Sequence, residues 1–113
     1  MEIIKVSRPW GSFEQFTHNE SSTVKLLYIN RGEELSLQKH SHRDEFWKII
    51  SGSPIVEIGD KKSEAEAGDE FTAKAGEVHR ISAPVDDVVF LEISIGDFDE
   101  NDEVRLEDDY NRT

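Results

Sequence analysis

Gln38, His40, His42 and Glu45 crowd into one stretch, Gln38-Lys39-His40-Ser41-His42-Arg43-Asp44-Glu45, and a further histidine, His79, follows much later in the chain. Amide oxygen, imidazole nitrogen and carboxylate oxygen together suit a first-row divalent metal. The chain has no cysteine, so a thiolate site and a disulfide framework are both excluded. Alternate side chains of a strand share a face, which would point Gln38, His40 and His42 the same way. Glu45 breaks that parity, so a turn after His42 must swing it back, and His79 would close the set from a later strand. The expected ligands are therefore Gln38, His40, Glu45 and His79. The expected cofactor is one divalent metal, zinc in the first place, with manganese, cobalt, nickel or iron also suited. The same spacing also occurs on ordinary polar strand faces. Glu45 and the distant His79, set between turn glycines, favour a site.

The elements that must position these residues read as strands. Thr23 to Asn30 is a β-rich run with Val24, Leu26 and Tyr28 on one side, and Arg31-Gly32-Glu33 is a turn signal. Leu35 and Leu37 alternate with Ser36 and Gln38. Glu45 to Ser51, Ile55 to Ile58, Phe71 to Ala73, Val78 to Ser82 and Val88 to Ile95 complete the series, and Gly59-Asp60 is a hairpin dipeptide. No stretch before residue 96 sustains a capped 3.6-residue apolar period. Short strands with frequent turns imply an all-β sandwich or barrel in one domain spanning residues 1–113. Asn101 to Asp109 reads as a short terminal helix or an irregular segment.

The formal net charge of -12 argues against nucleic acid and anionic membrane surfaces as partners. It leaves room for a small phosphorylated substrate, because a few local cations can dominate a pocket. Much of the acidity falls in Asp97 to Asp109, whose composition reads as a solvated tail. No apolar run approaches a membrane span and no leader pattern opens the sequence, so a cytoplasmic location is expected. Trp47 shares strand parity with Glu45 and should pack inside. Trp10, between Pro9 and Gly11, should anchor an N-terminal strand, and His18 should lie on the surface.

The stretch Gly32 to Gly52 resembles the first motif of the cupin superfamily, G-x5-H-x-H-x4-E-x6-G, with Gln38 in the first His place, then His40, Glu45 and Gly52. Gly68 to Ala83 resembles the second, G-x5-P-x-G-x2-H-x3-N, through Gly68, Gly76 and His79, with Lys74 and Ala83 in place of Pro and Asn. A wider set is similar to type II mannose-6-phosphate isomerases: Arg8-Pro9-Trp10-Gly11, Ser36-Leu37-Gln38, His42-Arg43, Trp47, Ala75-Gly76, His79-Arg80 and Leu106-Glu107-Asp108-Asp109-Tyr110. That family includes the C-terminal domain of bifunctional mannose-1-phosphate guanylyltransferase/phosphomannose isomerase enzymes. The resemblance runs from about Arg8 to Arg112. It implies a cupin double-stranded β-helix (a jelly-roll barrel), a bound divalent metal, interconversion of mannose 6-phosphate and fructose 6-phosphate, and a homodimer in which the N-terminal strand is an exchange element. It also implies an ordered segment from Arg105 to Tyr110. The guanylyltransferase half has no room in these residues, so that activity is not expected. One departure is Phe46, where the family usually has His. Strand alternation should turn Phe46 away from Glu45.

Aldose–ketose isomerisation moves a proton between adjacent carbons, and needs a base as well as stabilisation of a developing oxyanion. His42 is the expected catalytic residue, sharing a face with His40 and carrying an imidazole suited to proton transfer. Two other readings stand: His42 as a solvent-exposed group, or as a ligand in place of Gln38. Arg43, Arg80 and Lys25 are the expected substrate-binding cations for a phosphate dianion, with ordinary ion pairing as the alternative for each. Two further functions fit the residues: a non-catalytic sugar-phosphate-binding cupin, motivated by Phe46, and another metal-dependent cupin enzyme such as an iron(II) oxygenase.

Overall fold

The structure, a computed structural model, describes residues 2–96, 99 and 101–108. A hairpin of β1 (Ile4–Arg8) and β2 (Gly11–Gln15) opens the chain. Then come β3 (Ser22–Ile29), β4 (Leu37–Lys39), β5 (Glu45–Ser51), β6 (Ile55–Ile58), β7 (Lys61–Glu64), β8 (Glu70–Ala73), β9 (His79–Ser82), β10 (Val88–Ile95) and β11 (Val104–Glu107). Two antiparallel sheets form from them, ordered β3-β10-β5-β8 and β11-β4-β9-β6-β7. Consecutive strands repeatedly alternate between the sheets, so residues distant in sequence meet across one interior.

The core sits between the sheets. Alternation along β5 turns Trp47 and Ile49 inward, and along β10 it turns Val88 and Phe90 inward. Ile29, Val56 and Ile81 meet them, all buried. Each such side chain contributes about 1.5–3 kcal/mol by leaving water. Trp47 lies inside as its parity requires, edge-on to Phe90 at 6.1 Å between ring centroids. Gly59 and Asp60 form the two-residue turn between β6 and β7, with Ile58 opposite Lys61 and a positive φ at Gly59. Gly52 closes β5 with φ +91°, and a Cβ there would overlap the Asp87 carbonyl oxygen, so only glycine fits.

Three sequence expectations are revised. The helical option for Asn101 to Asp109 gives way to β11, which pairs with β4 through Arg105 opposite Gln38. The acidic segment is tied down where described: Asp102 accepts from the backbone N–H groups of Ser41 and His42, both at 2.9 Å. Asp97, Asp109, Tyr110 and Arg112 lie outside the described residues. Trp10 is not the buried anchor expected; it occupies the turn of the first hairpin and is 73 % exposed.

Candidate metal centre

Three strands and one loop residue build the centre. Gln38 on β4 stands directly opposite His79 on β9. His40 follows the end of β4, held there by the Gly76 N–H, which donates to its carbonyl at 2.7 Å. Glu45 opens β5, opposite Ala73 of β8 and Ser94 of β10. His40, Glu45 and His79 are all buried, and each offers a ligand atom within 4.8 Å of the others. His40 Nδ1 lies 3.5 Å from Glu45 Oε2, and His79 Nε2 lies 3.6 Å from Glu45 Oε1. Two ligands each about 2.1 Å from a shared ion, at a tetrahedral angle, stand about 3.4 Å apart.

Hydrogen bonding around these groups fits a cation. Gln38 Oε1 and both ring nitrogens of His40 are buried with no hydrogen-bond partner. Buried polar atoms are nearly always satisfied, so the orphaned Gln38 Oε1 and His40 Nδ1 beside Glu45 call for a ligand. His79 Nδ1–H donates to the Glu77 carbonyl at 3.1 Å, which leaves the Nε2 lone pair aimed at Glu45. Burial pushes the His79 pKa below its ordinary value, against the pull of Glu45, so the ring is held in the neutral form a metal needs. The donor set of Gln38, His40, Glu45 and His79 thus fits a divalent ion, with open positions left for substrate oxygens.

The cavity over this cluster has a volume of about 220 Å³. Its wall includes Lys25 and Glu92 on paired positions of β3 and β10, Arg43, and Glu103 and Arg105 from the β11 segment. Arg43 is buried and its Nε donates to Glu45 Oε2 at 3.0 Å, while Nη1 donates to the Asp99 carbonyl at 3.1 Å. Its guanidinium therefore neutralises the proposed ligand and ties it to the C-terminal segment. Trp47 packs edge-on against His79 at 5.1 Å between ring centroids, excluding water from one side.

The geometry separates the sequence-derived candidates. Gln38, His40, Glu45 and His79 converge, and Lys25 and Arg43 join them in the cavity wall. Arg80 turns to the opposite face, where Nε donates to the Leu35 carbonyl at 3.0 Å and Nη1 pairs with Glu34 at 3.5 Å. His42 does not share the face of His40. The strand ends at Lys39, the chain bends at Ser41 and His42, and parity stops counting there. His42 is exposed and lines a separate cavity of about 390 Å³ beyond the Arg43–Glu45 pair. Phe46 turns to the opposite face of the sheet from Trp47, as alternation predicts, where it is buried with its ring 5.6 Å from that of Phe16, and it does not line the metal cavity. Glu92, Glu103 and Arg105 escaped the sequence reading. Glu92 could have been found by its alternation with the inward Phe90 and Ser94.

Comparison with known proteins places this arrangement. The family described as mannose-6-phosphate isomerase C-terminal matches residues 2–108. The chain belongs to this family. Among curated relatives of this isomerase-family domain, mannose-1-phosphate guanylyltransferase 2 of Escherichia coli O157:H7 is 33 % identical over 108 residues, covering 94 % of the chain and 22 % of the relative. The chain thus spans about a quarter of the length of the curated relatives it matches. A Klebsiella pneumoniae protein with a double-stranded β-helix domain superposes with a TM-score of 0.62 at 24 % identity, covering 83 % of this chain and 76 % of that one. A cupin-superfamily sugar phosphate isomerase from Silicibacter pomeroyi gives 0.62 at 21 % identity, covering 67 % and 51 %. The isomerase-family domain is a cupin double-stranded β-helix, as the motif resemblance implies. No helix among the described residues is long and apolar enough to cross a membrane.

Proposed function

We propose that the chain is a metal-dependent sugar-phosphate isomerase that interconverts mannose 6-phosphate and fructose 6-phosphate. The observation that carries this is the buried Gln38–His40–Glu45–His79 cluster at the base of a cavity walled by Lys25, Arg105 and Glu92. Membership of the isomerase family supports the same reading. A bound divalent ion would supply Lewis acidity to adjacent carbonyl and hydroxyl oxygens of an open-chain sugar.

The chain's own residues do the rest. Lys25 and Arg105 bind the phosphate, and Arg105 offers a buried Nε with no protein partner. Glu92 is a carboxylate in the wall that is not needed as a ligand. It takes the proton from the second carbon of the aldose and returns it to the first carbon, while the proton of the second-carbon hydroxyl passes to the first-carbon oxygen, so the base is regenerated and no redox partner is needed. Arg43 holds Glu45 in place. His42, exposed outside this cavity, takes no part in the proton transfer.

The proposed assembly is a homodimer. Val24, Leu26 and Tyr28 of the edge strand β3 are 57, 53 and 71 % exposed, and Ile50 on the same outer face is 47 % exposed. Contiguous exposed apolar surface beside a free strand edge suits a second copy of the chain. The first hairpin, carrying exposed Ile4 and Trp10, would be the exchanged element.

Purified protein supplied with zinc, manganese or cobalt should convert mannose 6-phosphate to fructose 6-phosphate. Absence of turnover with every metal overturns the isomerase reading. A thermal shift with sugar phosphate but no turnover favours the non-catalytic binder instead. Metal-dependent oxygen uptake favours the oxygenase.

A further inference from the structure

The two ring nitrogens of a metal-bound imidazole have different duties. One gives its lone pair to the ion, and the other carries the proton and needs an acceptor to hold the ring in orientation. His79 finds that acceptor in its own neighbourhood, the Glu77 carbonyl at 3.1 Å. His40 has no such backbone partner. Its Nδ1 faces Glu45, and its Nε2, buried and without a hydrogen bond, faces Glu103 Oε1 at 3.6 Å. Arg105 pairs with the other oxygen, Oε2, which fixes the carboxylate with Oε1 toward the ring.

Glu103 sits on a strap rather than in the barrel wall. The strap leads into β11 and is fastened at three points: Asp102 to the N–H groups of Ser41 and His42, Asp99 to Arg43, and Arg105 opposite Gln38. All three anchors lie within or beside the proposed ligand residues. We propose that Glu103 is a positioning residue for the metal centre: its carboxylate accepts the Nε2–H of His40 once Nδ1 holds the ion, so metal loading adds a fourth tie between the strap and the site. A gap of 3.6 Å exceeds a hydrogen bond, and a small side-chain rotation toward the ring closes it. The strap also carries Arg105, so the same tie would hold the proposed phosphate-binding cation in the cavity wall. The proposal rests on the metal reading of the site and adds a coupling between that site and the chain's C-terminal segment.

The test is zinc affinity by chelator competition for the wild type, Glu103→Ala and Glu103→Gln, with backbone amide exchange of peptides spanning Asn101 to Asp108, with and without zinc. Wild-type protein should gain protection in the strap on loading. Glu103→Ala should bind zinc about tenfold more weakly and gain no protection. Glu103→Gln retains an amide oxygen that accepts from Nε2–H and should stay within a few-fold of wild type. Equal zinc affinity in Glu103→Ala and wild type overturns the proposal alone. So does a Gln variant as weak as the Ala variant, which would trace the loss to charge and not to the hydrogen bond. A wild type that takes up no ion overturns the metal reading together with it.

Discussion

The interior of the barrel and the outer face of its β3-β10-β5-β8 sheet invert the usual distribution of polarity. Inside, an amide, two imidazoles, a carboxylate and a guanidinium are buried together. Outside, leucine, valine, isoleucine and tyrosine side chains lie in water. Burying polar groups without partners costs free energy, and so does leaving contiguous apolar surface wet. Folding alone explains neither region. The proposed ion and sugar phosphate would satisfy the inner one, and the proposed second copy of the chain would cover the outer one. Within a single strand the two are one residue apart: on β3, Lys25 faces the cavity while Val24 and Leu26 face out.

The strongest way to break this contrast is at Glu45. Glu45→Ala removes a proposed ligand and the carboxylate that accepts from Nε of the buried Arg43. Urea denaturation should show a loss of about 3–5 kcal/mol, the usual cost of breaking a buried pair from one side. Metal binding should vanish with it. A loss below about 1 kcal/mol would mean that Arg43 and Glu45 are not coupled as their 3.0 Å contact indicates.

Next in size is Arg105→Ala, which should raise KM for the sugar phosphate about 10–100-fold, with a smaller loss of zinc affinity because Glu103 loses its partner. An unchanged KM would move the phosphate elsewhere in the cavity. On the outer face, Leu26→Glu should shift the mass measured by light scattering from dimer to monomer and leave metal content untouched. A dimer that survives would place the contact off this sheet.

The smallest effect is in pH. Burial lowers the folded-state pKa of His79 below the ordinary 6.5. The folded chain then binds fewer protons than the unfolded one at pH values below about 6.5. The metal-free protein should therefore lose stability progressively as pH falls through that value toward the lowered folded pKa, and His79→Gln should flatten this part of the profile.

Most of the barrel was legible because its strands alternate plainly. Glu45 to Ser51, Ile55 to Ile58 and Val88 to Ile95 coincide with β5, β6 and β10. β7, Lys61–Glu64, carries no apolar residue and is an edge strand, so its sequence gives no periodic signal. β11 misleads in a different way. Its apolar Val104 and Leu106 point outward while Arg105 faces the cavity, the reverse of the pattern that sequence reading relies on. The cluster of Gln38, His40, Glu45 and His79 could be read from turn glycines and ligand types. His42 could not be placed, because face counting holds only while the backbone stays extended and β4 is three residues long. Glu103 and Arg105 reach the site through the pairing of β11 with β4, a contact about sixty residues away along the chain that local pattern does not encode.

The proposed function depends on one ion that the buried cluster would hold, and metal content per chain measures that directly. Elemental analysis of protein reconstituted with zinc and freed of excess should give one ion per chain for the wild type and none for His79→Ala. No bound ion in the wild type, or the same content in both proteins, would contradict the account.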